Sequence, residues 1–583
     1  MKPIWHYFIL LCVSTILVNC KQKPSNTLVV HILQEPENLH PTNGSTSALG
    51  LEINMYTHLS LMKINYKTNE LLPCIVKSLP IISSDGLNFT YELKDSLTWD
   101  DNTAVTAADV LFTAKANKCL LTDNPSSKQS WDNIKDIIID PSNPKKFTVV
   151  MNYQNAFNVW IWTEFNIIEE SFFDKTKTLS KYSLSNVSDS LFLKTNKDIK
   201  LWADEFNSPK YYSDPKFMNG GGPYKVTKWD KGISITLEKK KNYWAKDYQK
   251  DWCWQANPDK IIFKLTANSA ATMLELKNGL LDVTTSIDYA SYSTLANDKD
   301  FTKNFVTKLA DTYNYTYIAM NMKPDGKTHK PLFSDILVRR AMAMLIPYDQ
   351  INKILFDNHC KRMVGPTSPL KKEFNTTLKA IEYNIEKAQQ LLKQAGWADT
   401  DNDQILDKVI NGEKVKFQFS INFLNSQKQF ENIVKQINES FRKVNIQADL
   451  NSLDYNGFIS KNLSHDFDMS IGSWQTRSSP EDFSQIWNTS SWTNNGFNFT
   501  GFGSAKSDAL IDSINSCADE EKRIVLSKRF QQMVYDEQPY IFMFCSIRRV
   551  IVSKKWDNLE IYTDYPGVLM NYPGAEPRGI EGK

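Results

Sequence analysis

The hydrophobic pattern of this chain switches repeatedly between the two-residue period of strands and the 3.6-residue period of helices, which predicts mixed α and β structure. Thr27 to Leu33 reads as a short strand, and Glu35-Pro36-Glu37-Asn38-Leu39-His40-Pro41 as its turn-rich exit. Asp85-Gly86 predicts a turn into a strand that carries Phe89, Tyr91 and Leu93 on one face. Trp99 to Phe112 is a loop running into a helix, with Thr106 as N-cap and Asp109 three positions on, a variant of the capping box. Gly220-Gly221-Gly222-Pro223-Tyr224, followed by Ile233, Ile235 and Leu237 in alternation, is a bend feeding a hairpin that Asn242-Tyr243-Trp244 closes. Glycines that lead into strands do not cradle a phosphate, which needs a helix N-terminus after them. Ala270 to Lys277 is helical.

The second half repeats helix-then-strand units, the grammar of α/β lobes. Tyr317 to Met322 reads as a buried strand, and Leu337 to Leu345 as a helix stopped by Pro347. Asn384 caps a helix with Ile385, Ala388, Leu391, Leu392 and Ala395 on one face, and Gly396 ends it. Phe430, Ile433, Val434, Ile437 and Phe441 line another, followed by alternating Ile446, Ala448 and Leu450. Pro539 to Phe544 and Arg549 to Ser553 read as two strands returning to the first lobe, which would make that lobe discontinuous.

The N-terminus has a different character. Lys2 precedes a run of about a dozen mostly apolar residues, Tyr7 to Val18, too short to span a bilayer as a helix but suited to a signal-peptide core. Leu17-Val18-Asn19-Cys20 ends it like a bacterial lipobox, so residues 1–19 are read as a lipoprotein signal peptide and Cys20 as the lipidated residue of a polar tether, 20–27. An ordinary signal peptide with an incidental cysteine is the alternative. Beyond the leader, about 560 residues are too many for one core and predict two or three lobes. No later apolar run is long enough to cross a membrane. Lys and Arg number 68 against 66 Asp and Glu, so nucleic-acid binding has no electrostatic support. Cys74, Cys119, Cys253, Cys360, Cys517 and Cys545 are widely separated and lack zinc-ligand spacing; buried free thiols are the plainest reading, with one or two disulfides the alternative. The 15 Trp and 24 Tyr suit both cores and ligand clefts.

Taken in order, the lipobox, Trp99-Asp100 to Thr106-Ala107-Ala108-Asp109-Val110, Gly221-Gly222-Pro223-Tyr224, Asn278-Gly279-Leu280-Leu281-Asp282, Asp335 to Ala341, and Tyr383-Asn384 to Ala395-Gly396-Trp397 form a series. That series resembles the family 5 extracellular solute-binding proteins, which include peptide- and nickel-binding receptors of ABC importers. The resemblance implies an α/β, two-lobed periplasmic-binding-protein-like fold of class II, with an accessory subdomain and a hinge between lobes. It implies lobe I from residues 28–70, 216–308 and 537–583, an accessory lobe II from 71–215, and lobe III from 309–536. The expected function is capture of a small solute, peptides foremost, for ABC permease subunits, by a monomer anchored in the cell envelope, on its periplasmic or outer face, without a cofactor. A non-peptide solute (oligosaccharide, metal chelate, anionic metabolite) or a surface interaction protein without a transport role are the alternatives.

By the same resemblance, ligand-binding residues are expected at Ser45, Thr46 and Ser47 after the first strand, at Tyr313 and Tyr315, and at Trp474, Gln475, Thr476 and Arg477. Peptide-binding relatives carry an Asp three residues after that Trp, to hold the peptide's amino group; here Arg477 stands there, with Glu481 and Asp482 as substitutes after a register shift. If Arg477 faces the cleft it favours a carboxylate-bearing ligand; a solvent-exposed Arg on a loop is the other reading. Thr367 occupies the place of the Arg that dipeptide receptors use for the ligand carboxylate, which argues against a strict dipeptide receptor. Asp399, Asp401 and Asp403 have the 1, 3, 5 spacing of a calcium loop, yet Gln404 and Ile410 stand where its Gly and Glu belong. A polar hairpin and a weak calcium site are both open there. No His-Glu-x-x-His or Gly-x-Ser-x-Gly motif occurs, so no enzyme reading is supported.

Overall fold

The computed structural model describes residues 26–43, 47–124, 128, 130–163, 165–245, 254–493, 496–557 and 559–573. The signal-peptide, lipidation and tether readings up to residue 25, and the candidates Ser45 and Thr46, lie outside them, as does Cys253.

Two long strands, Phe305–Met320 and Tyr540–Ser553, organise the molecule. They pair antiparallel at the centre of a ten-stranded sheet. On one side follow Met469–Trp474, Gln418–Leu424 and Gln447–Leu453; on the other, Val283–Thr284, Thr27–Ile32, Lys260–Leu265, Ser234–Lys239 and Tyr224–Asp230. Each long strand therefore serves both halves. Phe305 to Ala310 runs beside Arg548 to Ser553, near the first half, whereas Tyr315 to Met320 is flanked by both Trp474–Met469 and Cys545–Tyr540. Between these stretches the register breaks, at Asp311/Tyr315 and again at Tyr315/Tyr317. A register break bends a strand, and here it marks where the halves meet.

The half-sheets have separate cores. Leu28, Val30, Phe263, Leu237 and Val550 pack in one; Val338, Ile421, Ile433, Met469 and Ile541 pack in the other. A four-stranded sheet, ordered Ile81–Ile82, Asn88–Glu92, Lys146–Met151 and Ile134–Ile139, stands apart around Phe89, Tyr91, Trp131 and Trp162.

Local chemistry explains the element boundaries. The Asp109 carboxylate accepts from the Thr106 N–H at 2.8 Å and opens the helix Ala107–Lys118. Asn384 Oδ1 accepts from Lys387 N at 2.8 Å at the head of Ile385–Gln394, and Gly396 follows that helix at φ +86°. The three glycines at 220–222 do more than bend the chain: a Cβ on Gly222 would lie 2.6 Å from the backbone of Thr57, where the helix Ala48–Thr57 ends. One expectation is corrected. Pro539 to Phe544 and Arg549 to Ser553 are not two strands, because Tyr540–Ser553 runs unbroken. Arg548 and Arg549 sit in its course because their guanidinium groups donate to the carbonyls of Tyr562 at 2.7 Å and Ile287 at 2.6 Å. Cys119, Cys360 and Cys545 are buried free thiols, Cys517 is a half-buried one, and Cys74 is buried.

Candidate ligand-binding site

At the register break the chain brings distant segments together. Thr476 Oγ1 donates to the Tyr313 carbonyl at 2.7 Å, and its N–H donates to Asn314 Oδ1 at 3.1 Å. The Tyr313 hydroxyl accepts from Asn69 Nδ2 at 3.2 Å. Ser478 gives both its N–H, at 3.0 Å, and its hydroxyl, at 2.6 Å, to the buried carboxylate of Asp564. Of the residues singled out in the sequence, Tyr313 and Thr476 thus meet. Arg477 joins them half-buried, its charge felt by the phenols of Tyr66 and Tyr565. Gln475 is exposed. Trp474 is half-buried and stacked 5.5 Å from Tyr317, with Phe497 and Phe499 beside it. Tyr315 is sealed in the aromatic core with Tyr317 and Phe542. Ser47 caps the helix Ala48–Thr57, its hydroxyl accepting from Gly50 N at 3.2 Å.

Buried charge underlies this floor. Glu481 is paired at 2.7 Å with Lys371, whose ammonium also donates to the Ser479 carbonyl at 2.8 Å and lies 5.7 Å from the Tyr313 ring. Burial pushes the Glu481 carboxyl up, against the pull of Lys371. Glu52, on the helix Ala48–Thr57, accepts from Tyr565 at 3.0 Å and Tyr56 at 3.3 Å. Burial raises its carboxyl to about 7, opposed by those hydroxyls and by Arg548.

Open space lies beyond the floor. A chamber of about 730 Å³ separates residues 130–165 of the four-stranded-sheet region from residues 479–516. Ala156 N donates to the Asn515 carbonyl at 2.7 Å, tying the two walls. Carboxamides face it from both sides, Asn133, Asn155 and Asn158 on one wall and Gln485, Asn488 and Asn515 on the other, with Trp160 and Phe165 among the rings. Asp482 lines this chamber and is exposed, so the two acidic candidates part company: Glu481 is spoken for by Lys371, whereas Asp482 is not buried in an ion pair. The wall at 130–165 escaped the sequence reading, although the amide- and aromatic-rich run Asn152-Tyr153-Gln154-Asn155-Ala156-Phe157-Asn158 was its visible signal. Lys371 and Asp564 carried no local signal.

The acidic triplet is elsewhere. The carboxylates of Asp399, Asp401 and Asp403 lie within 4.8 Å of one another. Lys414 reaches Asp401 at 2.8 Å and Asp407 at 3.2 Å, and Lys416 pairs with Asp403, so lysines of the hairpin Asp407–Lys416 supply positive charge there.

The model of the bacterial extracellular solute-binding proteins, family 5 (Middle), matches residues 70–497. The chain belongs to this family. It is 25% identical to the oligopeptide-binding protein AppA of Bacillus subtilis over 555 residues, covering 94% of this chain and 90% of that one. It is 23% identical over 575 residues to the dipeptide-binding protein DppE of the same organism, with 93% of each covered. Among solved structures, AppA of B. subtilis in complex with a nonapeptide superposes with a TM-score of 0.76 at 20% identity, covering 95% of this chain and 100% of that one. NikZ of Campylobacter jejuni in complex with Ni(L-His) gives 0.73 at 19% identity, covering 92% and 96%. This family 5 chain has the two-lobed α/β fold that the resemblance implied. Among the described residues, no helix is long and apolar enough to cross a membrane.

Proposed function

We propose that this protein is the substrate-binding component of an ABC importer, holding peptides between its lobes and delivering them to permease subunits. The lobes are those expected above: 28–70, 216–308 and 537–583; 71–215; and 309–536. Anchoring is through lipid on Cys20, at the periplasmic or outer face of a membrane, and the receptor is a monomer. Closure turns on the register break between Asp311 and Tyr317, where the two long strands cross. The observation that carries the reading is the chamber of about 730 Å³ between residues 130–165 and 479–516, which is of a size ordinary for a ligand site. Its amide-rich lining supplies paired donors and acceptors of the kind a peptide backbone needs. AppA, a relative matched over nearly the whole chain, is an oligopeptide-binding protein.

The ligand-binding residues are proposed at Tyr313, Thr476 and Arg477 on the floor and, by the family resemblance, at Ser45, Thr46, Ser47, Tyr315, Trp474 and Gln475. Small-angle scattering with and without a mixture of five- to nine-residue peptides tests the reading. Peptide-dependent contraction supports it. Contraction with a sugar or a metal chelate instead, and none with peptides, would assign a non-peptide solute; no contraction with any solute would favour an interaction protein.

A further inference from the structure

The first strand starts beside a basic corner of the large sheet. The whole chain is nearly balanced, with 68 Lys and Arg against 66 Asp and Glu. Residues 224–241 and 259–265, which carry the strands Tyr224–Asp230, Ser234–Lys239 and Lys260–Leu265, instead hold eight lysines against Asp230, Glu238 and Asp259. Cross-strand register lays out one row of this corner: Thr27 is level with Lys260, Lys260 with Glu238, and Glu238 with Lys225. Three strand spacings put Lys225 about 14 Å from Thr27. Asn26 belongs to the same corner, because its carbonyl accepts from Asp259 N at 2.9 Å and the Asp259 carbonyl accepts from Lys239 N at 3.0 Å. Glu238 is paired with Lys260 at 2.9 Å, Asp230 with Lys228 at 2.6 Å, and Lys240 with Asp100 at 2.6 Å. Among the described residues, Lys225, Lys239 and Lys241 make no ion pair, and Lys225 and Lys241 are exposed; Asp259 is the one open carboxylate facing them. Lysine on an edge strand discourages pairing with a foreign strand. That accounts for Lys225, but not for Lys239, which ends an interior strand, or for Lys241 beyond it.

The tether reaches this same corner. Five residues, 21–25, separate Cys20 from Asn26, and such a stretch spans at most about 20 Å. With lipid on Cys20, the corner is held within about two screening lengths of the bilayer at physiological salt. Lysines kept that close to an anionic leaflet are drawn onto it. We infer that this corner is a docking face for an anionic lipid surface, with Lys225, Lys239 and Lys241 as its contacts. The inference rests on the lipid-anchor reading above. It seats the receptor on the membrane by one end of its sheet, with Thr27–Ile32 and Lys260–Leu265 running away from the bilayer, in place of a body swinging freely on its tether.

The experiment is sedimentation with sucrose-loaded vesicles, of phosphatidylcholine alone or mixed equally with phosphatidylglycerol. It uses the unlipidated chain from Lys21 to Lys583, which keeps every described residue. At physiological salt the expected result is partition at least tenfold stronger onto the mixed vesicles, falling to near the phosphatidylcholine level in K225Q/K239Q/K241Q. The charge-matched K194Q/K197Q/K200Q, which changes three exposed lysines on the helices Ser190–Thr195 and Lys197–Phe206, should keep the preference. High salt, which needs no variant, should erase it in the parent chain. Equal partition onto both vesicles overturns the docking face, as does a preference that survives high salt or an equal loss in both triple variants. Mass spectrometry of Cys20 in protein taken from cell membranes tests the anchor separately: an unacylated Cys20 overturns the anchor reading, while the vesicle arms still decide the face.

Discussion

Removing Lys371 strands a buried carboxylate at the crossing of the lobes. The side chains of Lys371 and Glu481 are 4% and 12% exposed, with Nζ and Oε1 2.7 Å apart. In Lys371→Met the Glu481 carboxyl either stays buried and charged without its partner or takes up a proton. The second route sets the ceiling. Holding a carboxyl neutral at pH 7.5, against an unfolded value of about 4.3, costs about 4 kcal/mol at 1.36 kcal/mol per pH unit. That agrees with the roughly 3–5 kcal/mol typical of breaking a buried pair from one side. The sign follows from the upward shift. A carboxyl raised in the folded state contributes stability below its unfolded value and loses it as pH rises through the folded value; removing Lys371 moves that folded value higher still. Urea melts followed by tryptophan fluorescence should therefore give a deficit of at most about 4 kcal/mol at pH 7.5, less the part that burial already costs the wild-type carboxyl, and at most about 1 kcal/mol at pH 5.0. Lys371→Met/Glu481→Leu should recover most of the loss, because no unpaired charge remains. A deficit below about 1 kcal/mol at pH 7.5, or one that is the same at both pH values, would refute the reasoning.

Glu52 predicts a second pH dependence. Its contribution is fully present below about 4.5 and is lost as pH rises through about 7, a swing of about 3 kcal/mol. Glu52→Gln should melt with the wild type at pH 5 and above it at pH 8.5 in calorimetry. Asp564→Ala removes both hydrogen bonds to Ser478, each worth about 1.5–3 kcal/mol, and should lower the urea midpoint, whereas Asp564→Asn, which keeps an acceptor oxygen, should lose less. Cys20→Ala should move the protein from the membrane to the soluble fraction on fractionation, since the burial of the diacylglycerol and N-acyl chains is then absent and the polar tether holds nothing.

Much of the fold is legible in the sequence wherever a local device sets it. Thr106 with Asp109, and Asn384 with Gly396, announce their helix ends because caps act over three or four residues. Tyr540–Ser553 was readable only in pieces, because Arg548 and Arg549 look like an interruption until the carbonyls of Tyr562 and Ile287 are brought to them. The candidate site divides in the same way. Tyr313, Thr476 and Arg477 were reached through family likeness, and the hydrogen bond from Thr476 Oγ1 to the Tyr313 carbonyl that joins the first two has no local signal. The Asn155 wall, Lys371 and Asp564 come from segments up to hundreds of residues away, brought together by tertiary contacts such as Ala156 N to the Asn515 carbonyl, and no periodicity in the sequence reports that meeting.

The most direct test of peptide capture between the lobes is native mass spectrometry of the purified protein, with denaturing extraction of what travels with it. The account predicts a ladder of peptide masses released only on unfolding. A single non-peptide mass would contradict it.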